Sequence, residues 1–397
     1  MYADKDYIIS LRREIHRFPE VGFDLPNTVA IVKRELTALG IEFTEKFGKG
    51  SVVATINPEK SHFTIGIRAD MDALLIEEQN DDEYRSQNPG KMHACGHDAH
   101  TAMLLGAAKA LQSMSDKINC RVKLLFQPSE EGIQSGAEMM VKNGVMDDID
   151  IIIGAHVENW LDSGTIGVCK GSSMASSRSF KLEVFGKSAH ATLPHSGKDA
   201  LAAAVELYTK IQFMLTREID PFQRYVCSVC TLNAGTSQNI IADYASMLGT
   251  IRAYEMSLDS FIIGRIRELA NSVAHGTGTR IETKTDLKAF VVYNDPQLSD
   301  LILAAAEQVA GKENAVSMVQ KLSSEDFSQY LTKKPGVFFR VGTRNVDKGI
   351  TSLPHNSDFR IDEDALPGGC DVFVQFVLDN MNKDPESFRI PSFSEKK

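Results

Sequence analysis

The stretch V-K-L-L-F-Q-P-S-E-E, residues 122–131, decides how the chain is read. Val122 to Phe126 is a short apolar run suited to a strand buried on both faces of a sheet. Pro128 has no N–H to give a ladder and stops that strand. Two adjacent carboxylates, Glu130 and Glu131, follow at once. An isolated Glu-Glu pair is ordinarily an acidic turn, so its meaning depends on what the rest of the chain places beside it.

Three more runs of the same kind flank it: Phe63 to Ala69, Ile149 to Ile153 and Val337 to Val341. Asp70 and Asp72 follow the first, His156 follows the second, and His355 follows the third after a longer loop. From Asp98 to Met114 the apolar residues Met103, Ala107, Ala110 and Met114 keep helical spacing. Strand and helix in alternation predict a layered α/β domain. In open α/β sheets ligands bind outside the carboxyl ends of the strands, so these separated polar residues are expected to converge.

The same reading extends to both ends of the chain. Tyr7 to Leu39 has helical spacing (Ile8, Leu11, Ile15, then Val29, Val32, Leu36), interrupted at Phe18-Pro19 and ended by Gly40. Gly171 to Ser179, small and polar, reads as a linker. After it come strand Phe180–Phe185, helix Asp199–Leu215, strands Tyr225–Leu232 and Tyr244–Tyr254, helix Leu258–Ala274 and strand Arg280–Leu287. That order, β-α-β-β-α-β, is the ferredoxin-like pattern and predicts an inserted domain. Helical spacing resumes at Gln297 to Val309, and a last helix spans Ala365 to Met381. The expected division is residues 1–175 and 290–397 for a discontinuous α/β domain, with a mostly parallel central sheet and helices on both faces, and 176–289 for the insertion. The final S-E-K-K reads as a frayed end.

Composition narrows the function classes. Hydrophobic residues are 43% and charged residues 24% of 397, ordinary for a globular chain. A net charge of −10 makes nucleic acid a poor partner. No apolar run approaches the roughly 18 to 20 residues of a membrane span, and the six scattered cysteines, with an amino terminus lacking an apolar h-region, predict thiols in a cytoplasmic protein. Cys227 and Cys230 lie in an apolar strand at a spacing that puts them on opposite faces, and read as buried packing residues.

Three of the ten histidines, His93, His97 and His100, crowd into M-H-A-C-G-H-D-A-H around Cys95. Imidazole and thiolate are preferred ligands for transition metals, and Cys95 and His97 can face one centre; a packed helix entry with a buried thiol is the alternative. Adjacent side chains diverge, so one of Glu130 and Glu131 can bind a metal while the other moves a proton, the division of labour that metal-assisted hydrolysis needs. A thiol hydrolase with Cys95 as nucleophile is a rival, as is a non-catalytic binding protein on the same scaffold.

Seven motifs in order carry a resemblance: R-A-D-M-D-A-L (68–74), M-H-A-C-G-H-D-A-H (92–100), Q-P-S-E-E-G (127–132), G-A-H-V (154–157), G-K-S-A-H-A (186–191), S-S-E-D-F-S (323–328) and H-N-S-D-F-R-I-D-E-D-A-L-P (355–367). The chain resembles the aminoacylase and carboxypeptidase G type metallopeptidases, in the branch of N-acyl-amino-acid amidohydrolases that includes hippurate hydrolases and plant indole-acetyl-amino-acid hydrolases. The resemblance implies an amidohydrolase holding one or two divalent ions (Zn, Mn, Ni or Co) per subunit. It places the metal ligands on Cys95, His97, Glu131, His156 and His355, the general base on Glu130, and an aspartate that orients the ligands on Asp72. It also implies a homodimer through the inserted lid domain, with His190 reaching the partner's site and Asn239 and Arg252 contacting a substrate carboxylate. Ala242, where the family commonly has proline, and Ser323, where glycine is common, depart from its pattern.

Overall fold

The structure, a computed structural model, describes residues 1 to 388; the S-E-K-K end lies outside the described residues. The strands are β1 (Glu42–Thr44), β2 (Val52–Ile56), β3 (Thr64–Asp70), β4 (Arg121–Gln127), β5 (Ile151–Asp162), β6 (Ile166–Val168), β7 (Gly171–Met174), β8 (Ser177–Phe185), β9 (Tyr225–Ala234), β10 (Tyr244–Ala253), β11 (Arg280–Ala289), β12 (Val292–Asn294), β13 (Ala315–Ser317) and β14 (Gly336–Arg344). The α-helices are α1 (Lys5–His16), α2 (Pro26–Ala38), α3 (His97–Ser113), α4 (Gly136–Lys142), α5 (Ala200–Arg217), α6 (Met256–Thr277), α7 (Pro296–Ala310), α8 (Ser328–Leu331) and α9 (Leu366–Asn380). Two compact units result. One holds Met1–Ser173, Val292–Gln320 and the described residues from Glu325 onward; the other holds Met174–Val291 and Lys321–Ser324.

The first unit is built on an eight-stranded sheet in the order β1-β2-β4-β3-β5-β14-β6-β13. Its centre, β4-β3-β5-β14, is parallel throughout; antiparallel pairs occur where β1, β2 and β6 join. Each central strand gives alternate residues to the main core: Ile65 and Ile67, Leu124 and Phe126, Ile153 and Ala155, Phe339 and Val341. These pack with apolar residues of α1, α3, α7 and α9. The intervening residues point to the opposite face, and they include Arg68, Asp70, Gln127, His156 and Arg340. There α8 covers them, its Tyr330 hydroxyl donating to Gln127 Oε1 at 3.0 Å. This is the predicted α/β fold, and the polar row on that second face positions the site.

Helix α3 is buried on nearly every side. It starts from Gly96 at φ +85°, and a Cβ there would lie 2.3 Å from Val157 Cγ2, so both the backbone and the space demand glycine. In the second unit, β11-β8-β10-β9 form an antiparallel sheet packed on α5 and α6. Chain order β-α-β-β-α-β and this strand order together make the ferredoxin-like arrangement.

Several expectations are corrected. The stretch 171–179 is not a linker but β7 and the start of β8, where Ser177 and Ser179 pair with Ala289 and Asp286. Small side chains there permit close packing, and the buried Ser176 hydroxyl donates to Asp259 Oδ1 at 3.1 Å. Strand β5 continues to Asp162, so His156 lies inside it; β3 pairs with β5 only as far as Arg68↔Gly154, while β14 runs on beside it. Cys230 is exposed on the edge strand β9, whereas Cys227 packs partly against the core. The three-residue strands β1, β6 and β13 carry too few residues to show a period, and the five-residue β2 is a further strand that the sequence reading does not include. Among the described residues no helix is long and apolar enough to cross a membrane.

In the second unit Glu183 meets Lys181 Nζ and Lys284 Nζ at 2.8 Å and accepts the Tyr244 hydroxyl at 2.9 Å. Those bonds, led by Lys181, hold its carboxyl down to about 2, against about 4.3 in an unfolded chain. A depressed carboxylate stabilises the fold above its unfolded value and loses that contribution as the pH falls towards the folded one. Glu183→Gln should therefore lower the thermal midpoint at neutral pH, with the difference from the wild type narrowing between about pH 5 and pH 3. Unfolding curves across that range check it.

Candidate metal centre

Sheet and loops bring the polar residues together within the first unit. Pro128 turns the chain at the end of β4, and Ser129 takes the left-handed conformation at φ 54°, costly for a non-glycine residue. The turn is held by Ser129 Oγ donating to the Gln134 carbonyl at 2.7 Å and by Gly136 N–H donating to the Ser129 carbonyl at 2.9 Å. Asp72, two residues past β3, accepts the Glu130 N–H on Oδ1 (2.9 Å) and the Glu131 N–H on Oδ2 (3.1 Å). One carboxylate thus locks both glutamate peptides.

Cys95, His97, Glu131, His156 and His355 converge here. Donor atoms of Cys95, His97 and His156 lie within 4.8 Å of one another, as do those of Cys95, Glu131 and His355, and those of His97, Glu130 and Glu131. Cys95 Sγ is 3.3 Å from His156 Nε2. His156 Nδ1 donates to the Val157 carbonyl at 2.5 Å, which leaves Nε2 as the nitrogen with a free lone pair. His355 has φ 69°, gives its N–H to the Ala94 carbonyl at 2.8 Å, and sets Nε2 3.0 Å from Glu131 Oε1. Its strained backbone and half-exposed ring place it at the rim.

His93 and His100 do not face this convergence in the same way. His100 Nδ1 donates to Asp70 Oδ1 at 2.6 Å and its Nε2 accepts the Val157 N–H at 2.9 Å, so both ring nitrogens are engaged and it braces β5 beside His156. His93 sits against His16, with ring centroids 6.1 Å apart. Asp70 is consumed in structure, receiving His100 and Arg68.

A second layer of charge escaped the sequence reading. Arg68 is fully buried and reaches Asp70 Oδ2 at 2.7 Å, Glu325 Oε1 at 2.9 Å and Asp326 Oδ1 at 2.9 Å, while its Nε donates to Gln127 Oε1 at 2.8 Å. Glu325 and Asp326 belong to S-S-E-D-F-S, a motif to which no role was given. The signal was an arginine at the carboxyl end of an apolar strand, which only a buried anion could keep there. On β14, Arg340 pairs in register with His156, stacks 4.8 Å from the Phe338 ring, and is also buried.

Electrostatics follow from that density. Burial first, then Glu325 and Glu131, push the Glu130 carboxyl well above the usual range, and burial lifts Glu325 to about 7. Burial together with Glu131 and Glu130 raises the Cys95 thiol. Burial alone would lower His97, but Asp70, Asp72 and Glu131 raise it to about 10. Burial and the neighbouring His100 and Arg340 lower His156. Carboxylates outnumber the cationic side chains, and both His97 ring nitrogens lack a hydrogen-bond partner. Thiol, imidazole and carboxyl groups crowded into an anionic site, each able to give up its proton to an arriving cation, fit divalent transition-metal ions.

The other predicted site residues lie in the second unit. His190 is exposed, its Nδ1 2.8 Å from the Thr192 hydroxyl. The Ala191 N–H donates to the Asn239 carbonyl at 3.0 Å and the Ile241 N–H to the Ala189 carbonyl at 2.9 Å, so the His190 and Asn239 loops brace each other. Half-buried Arg252 donates to Thr250 Oγ1 at 2.6 Å, and burial lowers its guanidinium.

Residues 66–379 match the model of Peptidase family M20/M25/M40. The chain is 38% identical to thermostable carboxypeptidase 1 of Saccharolobus solfataricus over 382 residues, 96% of either chain. It is 35% identical to the IAA-amino acid hydrolase ILR1-like 4 of Arabidopsis thaliana, covering 94% of this chain and 85% of that one. Among solved structures, a dinuclear metal binding peptidase of the M20 family from Bacillus subtilis superposes with a TM-score of 0.80 at 32% identity, covering 94% of this chain and 98% of that one.

Replacing Arg68 by Met would leave Asp70, Glu325 and Asp326 buried without their cation. Breaking a buried ion pair on one side costs about 3–5 kcal/mol, so Arg68→Met should lose that much in chemical denaturation, whereas a loss below about 1 kcal/mol would mean the carboxylates are neutralised by other means.

Proposed function

The chain belongs to peptidase family M20/M25/M40, and from that premise we propose that it cleaves N-acyl amino acids to a carboxylic acid and a free amino acid. It is a hydrolase of amide bonds and metal-dependent. The observation that carries the finer reading is the convergence of donors from four separate segments around Cys95 and Glu131, with Glu130 beside them in a locked loop. Its relative named as an IAA-amino acid hydrolase acts on a substrate of that class.

We assign Cys95, His97, Glu131, His156 and His355 as ligands of one or two divalent ions per subunit, drawn from Zn, Mn, Ni or Co. Such ions, when bound, polarise a scissile carbonyl and lower the pKa of water. Glu130 is the general base. Its carboxylate takes a proton from the attacking water and delivers it to the leaving amine nitrogen, a role that a raised pKa suits because the acid form must persist long enough to donate. Asp72 acts through the backbone, holding the Glu130 and Glu131 peptides so that the two carboxylates diverge into different tasks. Arg68 sets the anionic layer behind Glu130: the Asp326 N–H points at Glu130 Oε1 from 3.5 Å.

His190, from a second copy of the chain, would donate from Nε2 to the developing oxyanion, since Thr192 occupies Nδ1. Asn239 and Arg252 would grip the substrate carboxylate. On this reading the second unit serves as lid and dimerisation domain, the first unit is catalytic, and the enzyme works as a cytoplasmic homodimer on a small molecule. A thiol hydrolase built on Cys95 would leave Glu130, Glu131, His156 and His355 without a task.

Glu130→Gln should keep its metal, measured by elemental analysis, and lose about 100- to 10,000-fold in kcat; near-wild-type turnover would remove Glu130 as the base. Cys95→Ala should bind less metal per chain, and an unchanged stoichiometry would take Cys95 out of the ligand set. A panel of N-acyl amino acids, assayed after chelation and reloading with each of the four metals, tests the substrate class: activity that survives chelation favours the thiol mechanism.

A further inference from the structure

Helix α1 buries one face against the main core, and that face should be apolar. Ile8, Leu11 and Ile15 comply, yet Arg12 and His16 go inside with them, each about 1% exposed. Cationic side chains survive such burial only if paired. Their shared partner is Asp98, itself fully buried: Arg12 Nε lies 2.8 Å and His16 Nδ1 2.7 Å from the same oxygen, Oδ2. His16 Nε2 lies 3.3 Å from Glu78 Oε1, and the Arg12 guanidinium lies over the Tyr84 ring at 4.6 Å.

Asp98 is the residue after His97 and three after Cys95. Helix α3 begins there without a side-chain cap, because its N-cap is Gly96. Asp98 thus ties the first turn of the segment that carries two ligands to α1, on the side away from the His100 and Thr101 bonds to Asp70, and its charge also suits a helix N-terminus. The frame extends further. Asn80 Nδ2 donates to Glu78 Oε1 at 3.2 Å and to the Phe359 carbonyl at 3.1 Å, and the Gln79 N–H donates to the Ser357 carbonyl at 2.8 Å. The loop so gripped is the one that carries His355, whose N–H returns to Ala94.

We infer that Arg12 and His16 are positioning residues for the metal centre: by clamping Asp98 they fix the first turn of α3, and with it the directions of Cys95 and His97. None of the motifs quoted from the sequence includes either residue, and neither is among the proposed ligands or substrate contacts. The inference rests on the ligand assignment proposed above, so its test carries Cys95→Ala as an internal reference.

The wild type, His16→Ala, His16→Gln, Asp98→Asn and Cys95→Ala are stripped with chelator, checked for folding by thermal unfolding, and titrated with Zn against a chromophoric chelator; each is also loaded with Co(II) for its thiolate-to-cobalt absorption. His16→Ala should weaken the metal Kd about 10- to 100-fold, the range found when a group that orients a ligand is removed, and should shift the cobalt band. His16→Gln keeps one donor for Asp98 and should lose less, a rescue that general destabilisation would not produce. If His16→Ala does not fold, His16→Gln and Asp98→Asn carry the measurement. Wild-type Kd and cobalt spectrum in folded His16 and Asp98 variants, while Cys95→Ala loses metal, overturns the inference alone. Unchanged binding in Cys95→Ala overturns the ligand assignment, and the inference falls with it.

Discussion

Asp72 accepts the amide protons of Glu130 and Glu131 on its two oxygens, and the polar end of the sheet is organised around that pair of bonds. Strands β3 and β4 run parallel with Asp70 opposite Gln127, so the chain leaves both at the same level and must turn away at once. Proline ends one strand, a left-handed serine bends the exit, and a carboxylate from the neighbouring strand's exit fixes the two peptides that follow. The strain at Ser129 is tolerable because these bonds leave the loop no relaxed alternative of comparable satisfaction. Geometry at the two glutamates is therefore a property of two loops acting together.

Charge is the second organising constraint. Buried carboxylates repel one another and resist desolvation, so a cluster this dense stands only with cations beside it. Arg68 serves Asp70, Glu325 and Asp326, while Arg12 and His16 serve Asp98. What those side chains leave uncompensated faces Cys95, His97 and His156, where the donors suit divalent ions. The same burial separates two adjacent glutamates: it pushes Glu130 up, while His355 beside Glu131 offsets burial and holds that carboxyl down. Neighbours in sequence thus acquire different acidities from different surroundings.

Much of this is legible in the sequence. The four apolar runs became the parallel centre of the sheet because continuous hydrophobicity over five to seven residues has few other uses in a layered domain, and the polar residues after them gathered because parallel strands end together. The β-α-β-β-α-β rhythm was equally plain. The serine-rich stretch 171–179 misled because small polar residues are common in loops, yet their backbones pair as well as any, and β12, β10 and β11 gave them partners. Arg12, His16 and Arg68 stayed silent for a related reason: a charged side chain on an amphipathic pattern is assumed to face water, and only a fold reveals that its partner is 86 or 257 residues away, as Asp98 is from Arg12 and Glu325 from Arg68.

By itself the sequence determined which elements form and which residue types stand at the ends of the strands, since periodicity, proline and glycine act over a few neighbouring residues. It also determined the donor chemistry, because thiol, imidazole and carboxylate are fixed by identity. The tertiary structure alone decided which of three crowded histidines meets the other donors: His100 is spent on Asp70 and Val157, His93 lies against His16, and His97, unbonded at both ring nitrogens as His93 is, comes within reach of Cys95, His156, Glu130 and Glu131. That selection depends on hydrogen-bond partners brought from distant segments, and on burial that makes each unpaired charge expensive, two quantities that come into being only when the chain is packed.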